Sequence, residues 1–165
     1  MLIQLSVLAC LEEDTGTSTY DLFDMIAGSS SGGLITCLIL GRRISAGQII
    51  QMALQEKLLE KMMVAHWMHR LLNKLQIRPK YTGKQKSSTL QAELANLRLS
   101  SLSKRILIPC FNLNQDRLEI FTNENSFDFL LSEIADACTA APSYYPPVRM
   151  EDGNWRMDGG VGMNN

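Results

Sequence analysis

The chain has 165 residues, of which 45% are hydrophobic and 20% charged, and its formal net charge is −1. This composition predicts a folded domain with a sizeable core. A net charge near zero without a long basic run argues against a nucleic-acid partner, because such proteins carry a basic patch that contacts phosphates. The chain also lacks the run of about 18 uncharged apolar residues that a membrane-spanning helix needs.

The cysteines are widely spaced, and none of them forms a CxxC pair; they are Cys10, Cys37, Cys110 and Cys138. This spacing indicates neither a zinc site nor a disulfide framework, so no metal and no cofactor is expected. The first residues lack the basic flank and cleavage site of a signal peptide. We therefore expect a soluble cytoplasmic protein. This expectation is compatible with peripheral association with a membrane surface.

Helices and strands are predicted to alternate along the chain. The first part of the chain is predicted to form a helix over 2–13, a loop over 15–20, a strand over 22–27 and a helix over 31–40 ended by Gly41. A long helix or helical hairpin then runs from a Ser45/Gln48 capping box to Leu75, and a short helix runs from a Ser88/Gln91 capping box to about Leu97. The last part is predicted to form strands over 105–113 and 117–122, a helix from Ser126 or Asp128 to about Thr139, and a tail of loops. This order predicts an α/β class with layered α/β/α architecture and a mixed, largely parallel central sheet. We expect a single domain over 1–165, with no internal repeat and no linker.

A glycine-flanked serine turn carries the first chemical signal. Gly28-Ser29-Ser30-Ser31-Gly32 fits G-x-S-x-G, the nucleophile elbow in which a strained serine lies between a strand and a helix. Gly28 and Gly32 provide the space that the strained turn needs, and Gly33 would let the following helix approach the sheet. The backbone N–H of Ser31 would lie at the helix N-terminus, where it can stabilise an oxyanion. A glycine-rich turn that only connects strand and helix, or binds a phosphate, is the alternative.

The base that would activate Ser30 is less obvious. The histidines are His66 and His69, both upstream of the place that an α/β-hydrolase triad gives its histidine, so a triad is disfavoured. Asp158 precedes Gly159 and Gly160, whose backbone freedom would let its carboxylate approach another loop. Asp152-Gly153 is the nearest rival and is typical of a turn between two short strands. Local chemistry alone leaves Asp158 and its rivals open.

The motifs together resemble the patatin-like phospholipases, a family of lipid acyl hydrolases. The matching segments are DMIAGSSSGGLI, RPKYTGK, LIPCFNLN, ACTAAPSYYPPV and MDGGVGMNN, in family order over essentially the whole chain. The resemblance implies a Ser-Asp dyad with Ser30 as nucleophile and Asp158 as base. It also implies hydrolysis of glycerolipid or phospholipid esters through an acyl-enzyme, without metal.

One departure from the family limits this expectation. The family carries a D-G-G-G-x-R-G loop, which supplies most of the oxyanion hole, just upstream of a helix like the one over 2–13. The chain starts at that helix and stops at Asn165, so it resembles a family core truncated at both ends. Losing an oxyanion donor slows such reactions about 100- to 1,000-fold, so we expect the chain alone to be weakly active or inactive. A catalytically silent lipid-binding or interaction module and a histidine-dependent esterase or acyltransferase are the alternatives.

The apolar, methionine-rich stretch over 49–75 has little polar face. Core packing or a subunit contact, hence a homo-oligomer, is the ordinary interpretation of such a stripe. The functional interpretation is that this stretch forms a lid or a wall that faces lipid.

Overall fold

Helices pack on a small mixed sheet in the computed structural model, which describes residues 1–55, 58–63, 79–124 and 127–162. The helices are α1 (Leu2–Thr15), α2 (Thr19–Leu22), α3 (Ser31–Arg42), α4 (Ala46–Leu54), α5 (Leu58–Met62), α6 (Lys84–Leu94) and α7 (Leu131–Cys138). The strands are β1 (Met25–Ala27), β2 (Arg105–Asn112), β3 (Arg117–Phe121), β4 (Val148–Arg149) and β5 (Trp155–Asp158). The predicted α/β class is confirmed.

Strand β2 is the centre of the sheet, because β1, β3 and β5 all pair with it. Among the described strands, β1 is parallel to β2, whereas β2 with β3, β2 with β5 and β4 with β5 are antiparallel. The sheet is mixed as predicted, but its parallel share is smaller than expected. Two of the three antiparallel pairs are hairpins, because short turns over 113–116 and 150–154 return the chain directly rather than through crossover helices.

Helix α3 forms the centre of the core. Its residues from Gly33 to Leu40 are all buried, as expected of a helix that is apolar all round. Gly41 was predicted to end this helix, but α3 continues to Arg42 and ends at Arg43 in the left-handed region. Gly41 instead permits close packing, since a Cβ there would stand 2.9 Å from the Leu131 side chain.

One of the two predicted capping boxes is present. Ser45 accepts from the Gln48 N–H, and the Gln48 side chain accepts from the Ser45 N–H, at the start of α4. The Ser88 box is wrong, because α6 already begins at Lys84 after Gly83 in the left-handed region. Ser88 lies inside that helix and donates its hydroxyl to the Gln85 carbonyl.

Further boundaries differ from the prediction. The strand predicted over 22–27 begins only at Met25, because Leu22 ends α2. The expected loop over 15–20 contains the start of α2, which Ser18 caps by accepting from the Asp21 N–H. Helix α7 begins at Leu131 rather than Asp128, because the Asp128 carboxylate is engaged by the N–H and hydroxyl of Ser100. The expected tail of loops includes β4 and β5, joined by the turn predicted at Asp152-Gly153.

Some predicted features lie outside the described residues: Ser126, positions 56–57 and 64–75 of the helical stretch that was predicted to reach Leu75, and both histidines. Among the described helices, none has by itself the length and apolar character of a membrane span. The consecutive helices α3 and α4 reach that length and apolar character only when taken together, and the angle of the bend between them is 119°.

Candidate active site

Ser30 occupies a strained turn between β1 and α3. Its φ of 54° and ψ of −124° lie outside the regions that side-chain-bearing residues normally adopt. Such a conformation costs about 1–3 kcal/mol and persists only where the surrounding structure enforces it. Although Ser30 is the N-cap of α3, its hydroxyl makes no capping hydrogen bond. The strand, strained serine and helix predicted for a nucleophile elbow are therefore all present.

The glycines of the turn differ in how much space they need. A Cβ on Gly28 would stand 2.4 Å from the Gly32 carbonyl group, so only glycine fits there. A Cβ on Gly33 would stand 3.3 Å from the Ile108 side chain of β2, so this glycine lets α3 lie close to the sheet as predicted. The same Cβ would stand 2.7 Å from the Cys138 sulfur of α7, a contact that was not predicted. Gly32 departs from the expectation: a Cβ there would meet only the Gln4 side chain, at 3.9 Å.

One edge of β2 brings the turn and the aspartate together. Backbone groups of alternate strand residues point to the same edge. The Leu107 carbonyl accepts from the Gly28 N–H at 3.0 Å, and the Leu113 N–H donates to the Trp155 carbonyl at 2.9 Å. Because 107 and 113 have the same parity, the end of β1 and the end of β5 lie on one edge of β2. Strand β3 takes the opposite edge.

Pro109 lies at the gap between these two strand ends. A proline in a central strand normally removes a ladder hydrogen bond. Here its missing N–H would point into the gap, where neither β1 nor β5 pairs with β2. The Pro109 carbonyl faces Gly159, and a Cβ on Gly159 would stand only 2.3 Å from that oxygen. The turn formed by Asp158 and Gly159 therefore contacts β2 at Pro109, two residues after Leu107, whose carbonyl binds the Gly28 N–H.

Asp158 ends β5 and is 4% exposed. Its Oδ1 accepts from the Gly160 N–H at 2.9 Å, so the second glycine supplies a backbone donor as expected. Its own N–H donates to the Ala140 carbonyl at 3.2 Å. This leaves the carboxylate of Asp158 fixed at the edge of β2 that also holds the serine turn.

The C-terminal end of α7 contacts both candidates. The Cys138 sulfur lies 3.6 Å from the Ser30 carbonyl oxygen as a donor, and Ala140 holds the Asp158 N–H two residues later. Burial raises the pKa of the Cys138 thiol well above its usual range, with the neighbouring Cys110 adding to the shift. Cys138 is therefore a packing and donor group rather than a second nucleophile. Sequence reasoning missed this contact, because no local pattern links Cys138 to a turn 108 residues away.

Asp152, the other candidate for the base, has a structural role. Asp152 binds the Arg156 guanidinium through both oxygens, at 2.7 and 2.6 Å, and Glu119 binds the same guanidinium from β3. The Arg156 hydrogen bonds outweigh the opposing effect of burial and hold the pKa of Asp152 well below its usual range. Asp152 is thus engaged in the turn. Within the described residues, no group of three or more His, Cys, Asp or Glu side chains is placed to hold a metal ion.

The sequence and the fold of the chain are similar to those of known proteins. The sequence model described as patatin-like phospholipase matches residues 1–165. The chain belongs to the patatin-like phospholipase family. Its fold is also similar to that in the crystal structure of VipD from Legionella pneumophila, with a TM-score of 0.53 at 13% identity over 97% of this chain and 43% of that one.

Curated patatin-like relatives extend the comparison. Patatin-like protein 2 of Arabidopsis thaliana is 32% identical over 88% of this chain and 41% of its own length. Patatin-like protein 4 of the same plant is 28% identical over 93% of this chain and 42% of its own length. A Solanum tuberosum relative, 27% identical over 83% of this chain and 37% of its own length, is named probable inactive patatin-3-Kuras 1. The chain thus spans less than half of the relatives it matches.

Proposed function

We propose that this chain carries the catalytic core of a serine lipid acyl hydrolase, with Ser30 as nucleophile and Asp158 as base. The observation that carries the proposal is the strained Ser30, whose hydroxyl caps nothing, on the same edge of β2 as the buried Asp158. Strain of this kind is concentrated at functional sites. Membership of a phospholipase family supports the class of reaction.

The proposed reaction has two steps. The Ser30 hydroxyl oxygen attacks the carbonyl carbon of a lipid ester, and Asp158 accepts the hydroxyl proton and returns it to the departing alcohol. Water then attacks the acyl-serine, loses a proton to Asp158, and releases the fatty acid as the proton returns to Ser30. The N–H of Ser31, the first residue of α3, has no acceptor inside the helix and would stabilise the developing oxyanion.

A substrate class and a place of action complete the proposed function. We propose a glycerolipid or phospholipid ester as substrate, met at the surface of a membrane by a cytoplasmic protein. The family supports a lipid substrate. Membrane association and homo-oligomer formation stay part of the proposal.

A catalytically silent lipid-binding module is the second candidate. The relative named probable inactive favours it, since that name shows that the family sequence pattern also occurs in a protein assigned no activity. A histidine-dependent esterase or acyltransferase would need His66 or His69, both outside the described residues.

Ester hydrolysis and covalent labelling test these candidates together. We expect the wild-type chain to hydrolyse nitrophenyl butyrate slowly, in line with the weak activity expected from its sequence, and to be labelled by a fluorophosphonate, and Ser30→Ala to lose both. Asp158→Asn should lose hydrolysis, whereas His66→Ala and His69→Ala should retain it. Ser29→Ala is the matched control, because its buried hydroxyl in the same turn has no hydrogen-bond partner among the described residues. Loss with a histidine variant, or no activity in any form, would contradict the dyad.

A further inference from the structure

A cavity of about 460 Å³ lies between α6, α7 and the hairpin formed by β4 and β5. All three elements contribute polar or aromatic groups to its wall, among them Lys84, Ser87, Ser132, Glu133, Arg149 and Trp155. Of the described residues that line this cavity, only Lys86 also lines the smaller cavity at Ser30 and Ser31. The two cavities are therefore separate, and the larger one has the volume of a small-molecule site, which is about 300–1,000 Å³.

Ser132 has an unused hydrogen-bonding group at this cavity. The residue lines the cavity and is 6% exposed, and its hydroxyl has no hydrogen-bond partner among the residues that the structure describes. Buried hydroxyl groups are usually paired, because an unpaired one loses its bonds to water without replacement. The cavity is the space from which a ligand can supply the missing partner.

The N-terminus of α7 adds backbone donors beside Ser132. Leu130 is the N-cap of this helix, and its apolar side chain makes no capping hydrogen bond. The Leu131 N–H donates to the Leu97 carbonyl, whereas the N–H groups of Ser132 and Glu133 have no acceptor within the described part of the chain. Free N–H groups and the positive end of the helix dipole both favour a bound anion.

Two cations of the wall have no carboxylate partner. Lys84 is exposed and forms no ion pair with any residue that the structure describes. Arg149 donates from Nε to the Gly153 carbonyl at 3.3 Å, and the same described residues offer no acceptor to its other two nitrogens. Lys86, by contrast, pairs with the Asp136 carboxylate at 2.9 Å. Lys84 and Arg149 are therefore the cations that a ligand can use.

Glu133 is the acidic group that opposes an anion in the cavity. Its Oε2 accepts from the Glu151 N–H at 3.3 Å. Three cationic side chains and two acidic ones line the cavity, so the net charge of the wall is positive even when Glu133 is ionised. The wall thus favours an anion, and Glu133 weakens that preference.

The rest of the wall suits the organic part of a ligand. Its apolar members are Leu130, Pro146, Pro147, Val148 and Trp155. Trp155 is 44% exposed, so its ring is accessible to a ligand. Ligand sites of this size combine apolar surface with a few placed polar groups. The cavity therefore has room for more than a bare inorganic anion.

We propose that this cavity binds an organic phosphate ester, with the phosphate at the Ser132 hydroxyl and the N-terminus of α7 and the organic part against Trp155. A phosphate has three strong acceptor oxygens, which match a hydroxyl, backbone N–H groups and the nearby cations Lys84 and Arg149. A soluble phosphate ester and the headgroup of an anionic lipid carry the same chemistry. Binding here does not require Ser30 to be a nucleophile.

Binding to two probes tests the proposal in the Ser30→Ala variant, which removes the proposed nucleophile. The probes are sn-glycerol 3-phosphate, measured by calorimetry, and phosphatidylcholine vesicles containing phosphatidic acid, measured by sedimentation. We expect at least one to bind, the soluble ester with a Kd below about 1 mM. Glycerol, inorganic phosphate and vesicles of phosphatidylcholine alone should bind about tenfold more weakly than the matching probe, because each lacks part of the ligand.

Substitutions in the wall locate the bound phosphate. Ser132→Ala should weaken binding about tenfold, the effect of one hydrogen bond to a charged group, and should melt like its parent because its hydroxyl is unpaired. Lys84→Gln should weaken binding about two- to fivefold, and Glu133→Gln should strengthen it by a similar factor. Ser88→Ala and Lys61→Gln are the matched controls, since both residues are exposed and lie outside the cavity.

The two probes also distinguish the sources of the phosphate. Binding of the soluble ester alone identifies a soluble ligand, and binding of the vesicles alone identifies a lipid headgroup; either supports the proposal when Ser132→Ala weakens it. Three results would overturn it: neither probe binds the folded protein, the control variants weaken binding as much as Ser132→Ala does, or inorganic phosphate binds as tightly as the ester. Ester hydrolysis by the wild-type chain is a separate result, so the hydrolase and this site can fail independently.

Discussion

Gly159 and Pro109 approach so closely that a Cβ on the glycine would stand 2.3 Å from the proline carbonyl oxygen. This contact lies directly beside the buried Asp158. Gly159→Ala must therefore shift the turn or strand β2, and we expect a loss of about 1–3 kcal/mol in unfolding free energy, the usual range for overpacking. Urea denaturation measures it. Gly162→Ala is the control, because its nearest contact would be an ordinary 3.4 Å; similar losses in both variants would contradict the prediction.

The strain at Ser30 predicts a gain in stability when its side chain is removed. Ser30→Gly should raise the unfolding free energy by about 1 kcal/mol, because glycine adopts a positive φ without steric cost. Ser30→Ala keeps a Cβ and should show no such gain. Thermal melting of the three proteins measures the difference. Ala95→Gly, at another positive φ of 47°, should behave like Ser30→Gly, and a destabilised Ser30→Gly would contradict this account of the turn.

The cysteines should divide into one reactive and three protected thiols. Cys10 is exposed, whereas Cys37, Cys110 and Cys138 are buried. Burial raises the pKa of Cys37 to about 12 and the pKa values of the other two well above their usual range, so few thiolates form at neutral pH. Ellman's reagent should titrate one thiol in the native protein and four in denaturant. Fast reaction of any thiol in the native Cys10→Ser variant would contradict the prediction, because only the three buried cysteines remain there.

Glu12 should make stability depend on acidity. Burial opposes its ionisation, but hydrogen bonds from Thr19, Ala46 and Gly47 outweigh burial and lower the pKa of Glu12. Because the pKa of Glu12 is lower in the folded state than in the unfolded state, its ionised form stabilises the protein at pH values above the unfolded-state pKa. That stabilisation is lost as the pH falls through the folded-state pKa. Glu12→Gln should thus melt at a lower temperature than wild type at pH 7 and approach it in acid. The exposed neighbour variant Glu13→Gln should track wild type throughout.

Removing one member of the buried pair formed by Lys86 and Asp136 should be far more harmful than removing both. Lys86→Met leaves a carboxylate that is 8% exposed without its cation, and breaking such pairs costs about 3–5 kcal/mol. The double variant Lys86→Met/Asp136→Leu should recover much of that loss. Denaturation of both variants measures the recovery. Equal instability would mean that packing, rather than charge, sets the effect.

Sequence reasoning succeeded where the signal is local. The serine turn, the β2-β3 hairpin and the turn at Asp152-Gly153 each depend on glycine, polar turn residues and short apolar runs close together in the chain. Their bounds agree with the structure within a few residues.

Distant packing explains what sequence reasoning missed. Gly41 has the position of a helix-ending glycine, but its role is contact with Leu131, 90 residues away. The strand predicted over 105–113 includes Pro109, and only the gap between the ends of β1 and β5 shows why a proline is tolerated there. The Asp158 interaction with Ala140 likewise depends on tertiary structure. The catalytic roles of Ser30 and Asp158 stay predictions.

Strand β2 also sets the distance between the serine turn and the aspartate turn. The Leu107 and Pro109 carbonyls, which face the serine turn and the aspartate turn, are two residues apart, or about 7 Å along a strand. Substitutions on β2 preserve that spacing, whereas one inserted residue between these carbonyls would turn the second toward β3. The number of residues in this strand is therefore under a stricter constraint than their identity.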